Sequence, residues 1–208
     1  MASQTDSQKS IPAWLSAYLP TGDARTKQEG VDSGNVWWVE VGGRDGSQLA
    51  AVAKAFPRMS ARMILQNNAA VLEAAPKIEG VETMVHDTLT EQPVHNASVY
   101  YFRQILGTFD DVTCIHILQM HLPALKHNPG SRIVIDDTIV PDQEPAGGAS
   151  SVEGTEAQHA HANDGPERRE KRWRWLIDQA GMEVLAINEY RNHDGLIIAK
   201  RRYQDQYR

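Results

Sequence analysis

Short apolar runs alternate with amphipathic stretches along most of the chain. Val36-Trp37-Trp38-Val39-Glu40-Val41 is a β-rich run halted by Gly42-Gly43-Arg44-Asp45-Gly46. Leu49, Val52, Ala53 and Phe56 then share one helical face, which stops at Pro57. Met63-Ile64-Leu65 predicts a buried strand, and Ala69 to Ala75 a short helix closed by Pro76. Val81 to Val85 and Ser98 to Phe102 predict two more strands. Asp110 or Asp111 caps an amphipathic helix expected to reach about Lys126. After the turn Asn128-Pro129-Gly130, Ser131 to Asp136 predicts another strand. A helix over Glu167 to Ala180 ends at Gly181, and Met182 to Asn188 and Leu196 to Lys200 form a closing strand pair around Asn192-His193-Asp194-Gly195.

Strands alternating with helices imply a parallel, doubly wound sheet covered on both faces. The expected division is a polar tail at 1–35, whose apolar patch Trp14, Leu15, Tyr18 and Leu19 packs on the domain, and an α/β domain at 36–208. Pro141 to Gly154 reads as a loop leading into Thr155 to Asp164, and no internal repeat is present.

Composition narrows the chemistry. With 208 residues and 41% hydrophobic residues, one domain can bury a real core. A formal net charge of -6 argues against nucleic acid as the main partner. The one basic cluster, Arg168, Arg169, Lys171, Arg172 and Arg174, is interleaved with Glu167, Glu170, Trp173 and Trp175 and reads as a solvated helical face beside an apolar one. Cys114, the single cysteine, sits in an apolar pattern as a small buried hydrophobe. No run nears the roughly 18 apolar residues of a membrane span. The polar start, Met1 to Ser10, lacks a signal-peptide core, so a cytoplasmic location is expected.

The glycine turn after the first strand lets backbone approach a ligand at the carboxyl end of a sheet. Alone, it fits a structural tight turn as well as a ligand cradle. His116 and His121 stand five apart, and His159 and His161 two apart; neither spacing makes a metal pair on one helical face, and no metal site is expected. All four read as surface or packing histidines, with His159 or His161 kept as candidate acid or base.

Longer motifs carry a resemblance. Val39-Glu40-Val41-Gly42-Gly43-Arg44-Asp45-Gly46 resembles V-D-V-G-G-G-x-G of the catalytic domain of plant-type and fungal S-adenosylmethionine (SAM)-dependent O-methyltransferases. His86-Asp87-Thr88-Leu89, Gln92-Pro93-Val94 and Ala97 through Phe109 resemble H-D-F-F…P-x-P-V…A…V-Y-Y-L-R-x-I-L-H-D-W. Gly130 through Asp137 with Val140-Pro141-Asp142 is similar to G-S-R-L-L-I-D-E…L-P-D, and Glu167-Arg168-Arg169…Trp173…Ala180-Gly181-Met182 to E-R-T…W…A-G-F. The collinear match covers about nine-tenths of the chain, which is more specific than any single motif.

The resemblance implies a class I methyltransferase (Rossmann-like) α/β fold: a doubly wound, mostly parallel seven-stranded sheet with a final antiparallel strand. It also implies a site for SAM or S-adenosylhomocysteine. Gly42, Gly43 and Gly46 would lie against its methionine part and Glu40 would accept from its ammonium. Asn67 stands where the family has its ribose aspartate, Asp87 and Thr88 would border the adenine, and Arg103 completes the expected cofactor set.

Three departures bear on chemistry. The family's catalytic histidine falls on Gly107, and general-base help worth about 10²–10⁴-fold is lost with it. Asn67 gives up a charge-assisted pair, worth about 1 kcal/mol or more. Arg44 replaces the middle glycine, where a side chain is expected to crowd the cofactor or cross the pocket mouth. Asp137 and Glu167 match the two acids that flank the family's histidine, so they join His159 and His161 as candidate catalytic residues. The family's N-terminal dimerisation half has no counterpart here, so an open pocket and a monomer or dimer are expected. Trp14, Tyr18, Phe102, Phe109, Met120, Trp173 and Trp175 are candidate pocket walls.

Three functions follow as expectations. The first is a non-methylating enzyme of natural-product metabolism catalysing cyclisation, dehydration or isomerisation of a small molecule, as members of this family do in fungal pathways. The second is a working O-methyltransferase of a phenolic or polyketide substrate. The third is a non-catalytic partner of a pathway enzyme.

Overall fold

In the first strand, Val39 and Val41 face one side of the sheet, and Trp38 and Glu40 the other; all four are buried. That two-sided burial is what a central parallel strand requires. The computed structural model describes residues 36–57, 62–140, 168–191 and 193–203. The apolar patch at Trp14 to Leu19, the loop from Pro141, His159, His161 and Glu167 lie outside these residues.

The strands are β1 (Trp38–Val41), β2 (Met63–Asn67), β3 (Glu82–Val85), β4 (Val99–Arg103), β5 (Arg132–Val140), β6 (Arg168–Arg169), β7 (Met182–Arg191) and β8 (Asp194–Arg201). Their order is β3-β2-β1-β4-β5-β8-β7, with the two-residue β6 paired to the end of β5. The first five strands of that order run parallel, and β8 is antiparallel to both neighbours. The expected seven-stranded doubly wound sheet is therefore present, with β6 added to it. Because the chain winds from β1 outward to β3 and returns beside β1 as β4, the sheet has a switch point between β1 and β4. Ligands of open α/β sheets bind outside the carboxyl ends of the strands at such a point.

Helices α1 (Ser47–Ala55), α2 (Ala69–Ala74), α3 (Asp111–Met120) and α4 (Glu170–Gln179) cover the sheet. Leu49, Val52 and Ala53 of α1 and Leu72 of α2 pack on Trp38, Met63, Leu65 and Tyr101. Cys114, Ile117 and Leu118 of α3 and Trp173, Leu176 and Ile177 of α4 pack on Val39, Tyr100, Phe102, Ile133 and Ile135 across the other face. Cys114 is thus the buried small hydrophobe expected. Among the described residues, no helix is long and apolar enough to cross a membrane.

Several boundaries differ from the sequence reading; β7 runs on to Arg191 and β8 begins at Asp194, so Asp194 and Gly195 of the expected turn are paired in strand. Helix α3 ends at Met120 instead of about Lys126, and turns follow through His127. Pro123 supplies no N–H and disfavours helical backbone at Leu122. Strand β5 runs on to Val140 because β8 pairs with Asp136, Asp137 and Thr138 and β6 with Ile139 and Val140. Helix α4 starts at Glu170, and Arg168 is not on a solvated helical face: it is 2% exposed, in β6.

Trp173 is fully buried, and its indole N–H donates to the Thr138 carbonyl at 3.0 Å. Trp173→Phe is expected to cost about 1–2 kcal/mol, since it leaves a carbonyl short of a donor and a small void; urea unfolding checks this.

Beneath the sheet a polar network is buried. Gln66 and Gln92 exchange amide hydrogen bonds at 2.8 Å, and Gln92 approaches His121 Nε2 at 3.2 Å. His121 Nδ1 lies 2.8 Å from the Ile117 carbonyl. Burial holds the imidazole down to about pH 4 despite that carbonyl, with nearby His86 lowering it further. The unfolded state therefore binds the proton first, and stability is lost as pH falls from 6.5 toward 4. The loss approaches about 1.4 kcal/mol per pH unit, and a His121→Leu variant should show a shallower acid limb in urea titrations at stepped pH.

Candidate functional site

At the carboxyl end of β1 the chain turns back through Gly42 and Gly46, both with φ near +69° and +68°. The Gly42 N–H donates to the Gln66 carbonyl at 2.9 Å, and Gly46 to Gly43 at 2.7 Å, before Gly46 caps α1. Arg44 also has a positive φ, +39°, a conformation that side chains seldom adopt, and is exposed at the tip of the turn.

Gly43 has a specific steric reason. A Cβ there would lie 2.4 Å from Oε1 and 2.5 Å from Cγ of Glu40, so the turn closes directly over that carboxyl. Glu40 is 1% exposed, and its Oε2 has no hydrogen-bond partner among the described residues. Burial pushes its pKa up to about 8; Asp45 and Asp136 add to this, while Arg103 and the Leu49 N–H oppose it. An unsatisfied buried acceptor beneath a glycine turn fits a ligand carrying an ammonium group. That is the group the resemblance assigns to Glu40.

Arg103 closes β4 beside this carboxyl. Its Nη1 donates to Gln48 Oε1 at 3.0 Å and to Asp136 Oδ2 at 3.2 Å, and Asp136 also accepts from the Tyr101 hydroxyl. Burial and the Asp136 charge raise the Tyr101 phenol well above its usual range, so it stays a donor. Gln48, Tyr101 and Asp136 were not among the expected site residues. Asp136 stands next to Asp137 in the sequence, and its side chain faces the side opposite Ile135, with Glu40 and Tyr101.

Asp137 meets Gly107 at the other side of β5. The residues after β4 form a single 3₁₀ turn, Leu106–Thr108. The Gly107 N–H donates to Asp137 Oδ2 at 2.8 Å, and the Thr138 N–H to Oδ1 at 2.9 Å. A Cβ at 107 would come within 2.6 Å of Oδ1. Burial raises the Asp137 pKa, against the pull of those two N–H groups and Arg168. The carboxyl therefore fills the space a side chain at 107 would enter.

Farther along the strand ends, Asn67 accepts from its neighbour's N–H, Asn68, at 2.8 Å. Asp87 is exposed and accepts from the Leu89 N–H at 3.0 Å, holding a turn in which Thr88 is half-buried. The structure thus gathers Glu40, the glycines and Arg103 at the switch point, sets Asp137 on the far side of β4, and leaves Asn67, Asp87 and Thr88 at the β2 and β3 ends. The wall candidates separate: Phe102 and Trp173 are core, Phe109 and Met120 half-buried, and Trp175 exposed beneath the Arg172 guanidinium.

The O-methyltransferase domain family matches residues 33–183. The chain is 31% identical over 163 residues to demethylsterigmatocystin 6-O-methyltransferase of Aspergillus flavus, covering 78% of this chain and 41% of that one. It is similar in structure to LepI in complex with SAM and to a pericyclic reaction enzyme, each with TM-score 0.71 and 29% identity over 86% of this chain and 46% of the other. The chain spans less than half the length of each of these relatives.

Proposed function

This chain belongs to the O-methyltransferase domain family, and from that premise we propose that it binds SAM or its demethylated product yet converts its small-molecule substrate by cyclisation or isomerisation without moving the methyl group. The observation that carries this reading is the Asp137–Gly107 pair: the position of the family's base holds glycine, and a carboxyl already committed to two backbone N–H groups lies against it.

When bound, SAM supplies a sulfonium cation with an electrophilic methyl. Glu40 would accept from its ammonium and would release its own proton to solvent in doing so, since burial otherwise raises the carboxyl to about 8. The backbone of Gly42, Gly43 and Gly46 would allow close approach, Asn67 would offer an amide to the ribose, and Asp87 with Thr88 would border the adenine. Arg103 stays tied to Gln48 and Asp136 and holds the end of β4. In this reading Glu40 is taken up by the ammonium and Arg103 by its two partners, so neither would take a proton from a substrate hydroxyl. Among the described residues, pocket shape and fixed backbone donors are the means this reading relies on.

Methyl transfer is the second reading, favoured by one observation: burial raises the Asp137 carboxyl, which makes it a stronger base than an exposed aspartate. Positioning alone lowers the barrier of an in-line displacement by several kcal/mol, so an acidic phenol needs little more.

Incubation with methyl-labelled SAM and a panel of phenols, polyenes and quinone-methide precursors separates the two. A product isomeric with its substrate, formed while the label stays on the cofactor, is the expected result. Labelled product that disappears in Glu40→Gln would instead establish methyl transfer and sink the first reading.

A further inference from the structure

We propose that Arg168 is a positioning residue for the Asp137–Gly107 pair, fastening the turn after β4 to β6. The inference rests on the functional reading above only in placing that pair at the reacting centre. Arg168 sits 2% exposed, and each guanidinium nitrogen is used. Nε donates to Asp111 Oδ1 at 2.8 Å, Nη1 to the Leu106 carbonyl at 3.0 Å and Nη2 to the Phe109 carbonyl at 2.5 Å. The guanidinium carbon lies 5.1 Å from the centre of the Trp173 ring. These two carbonyls flank Gly107 on both sides of the 3₁₀ turn. A planar fork with fixed donor directions holds such a turn in one place, whereas the single ammonium of lysine does not.

The segment that carries Arg168 is 62 residues away from Leu106 in sequence, and β6 pairs Ile139 with Arg168 just beyond Asp137 on β5. Arg168 therefore couples the strand bearing the carboxylate to the turn bearing its N–H donor. The charged and titratable groups near Asp137 are Arg168 from β6, Asp136 beside it on β5 and Cys114 from α3; Asp111 opens α3 and reaches it through Arg168. The positive charge of Arg168 lowers the Asp137 pKa while burial raises it.

The test measures the ligand-free protein by NMR, following the Asp137 carboxyl carbon and the exchange of the Gly107 amide in wild type, Arg168→Met, Arg168→Lys and Arg172→Ala. In Arg168→Met the Asp137 midpoint is expected to rise by about one pH unit or more. Gly107 exchange is expected to quicken about tenfold or more as its turn loosens. Arg168→Lys keeps the charge, so its midpoint stays close to wild type while Gly107 exchange still quickens. Arg172→Ala removes an exposed partner of Asp111 that does not touch the turn, and should leave both unchanged.

A folded Arg168→Met protein with both readouts unmoved overturns the inference, as does an Arg172→Ala protein that moves them equally. If Arg168→Met does not fold, unchanged Gly107 exchange in Arg168→Lys overturns it. Shifts as expected, together with wild-type turnover by Asp137→Asn, would leave the positioning role intact and remove Asp137–Gly107 from the reacting centre.

Discussion

Between pH 6.5 and 8 the folding stability of the ligand-free protein should fall as pH rises, and Glu40→Gln should remove most of that fall. Glu40 is raised from 4.5 to about 8 in the folded state, so across that range the native protein holds a proton that the unfolded chain has released. Stability then drops with rising pH at up to about 1.4 kcal/mol per unit for one such group. The two limits of the window come from different groups. Below pH 6.5 the neutral, buried His121 contributes a slope of opposite sign, which masks the effect of Glu40. Above 8 both states of Glu40 are ionised and its slope ends. Urea midpoints at half-unit pH steps would read the difference; parallel curves for wild type and Glu40→Gln would mean that the buried carboxyl carries no excess proton.

The same substitution tests the ligand. The Oε2 of Glu40, without a partner among the described residues, would be matched by the ammonium proposed for it, and a charge-assisted hydrogen bond in such a place is worth about 1.5–3 kcal/mol. Glu40→Gln should therefore weaken SAM about ten- to hundredfold at neutral pH, as read by calorimetry. Equal affinities would remove Glu40 from the cofactor set.

Gly107→His is the second large effect, and it should not restore a methylating base. The new Cβ would be placed 2.6 Å from Asp137 Oδ1, so either the carboxyl leaves its two N–H donors or the turn shifts. Overpacking of this kind costs about 1–3 kcal/mol, and displacing a buried carboxylate from its donors adds to it. The expected outcome is a lower urea midpoint with no gain in labelled methyl transfer. Pairing it with Asp137→Ser, which clears the space, should recover much of the lost stability. A rise of a hundredfold or more in methyl transfer by Gly107→His alone would show that the pocket still awaits only its base.

The order of strands and helices was legible from periodicity because a buried parallel strand and a two-faced helix each impose a local repeat. The glycine turn, the family and the glycine at 107 where the resemblance expects a base were legible as well, each being a matter of residue type at a spacing. The end of α3 was also within reach, since Pro123 stands in plain view. Tertiary structure alone decided the rest. Arg168 shares its local pattern with exposed basic residues, yet two carbonyls and a carboxylate near position 109 draw it inside. Arg103 finds Gln48 and Asp136, and Asp137 finds Gly107, across 55, 33 and 30 residues of chain. Periodicity specifies which face a side chain takes but not which distant strand end lies opposite. That depends on sheet register, and register places charged groups beside one another only once the whole core has closed.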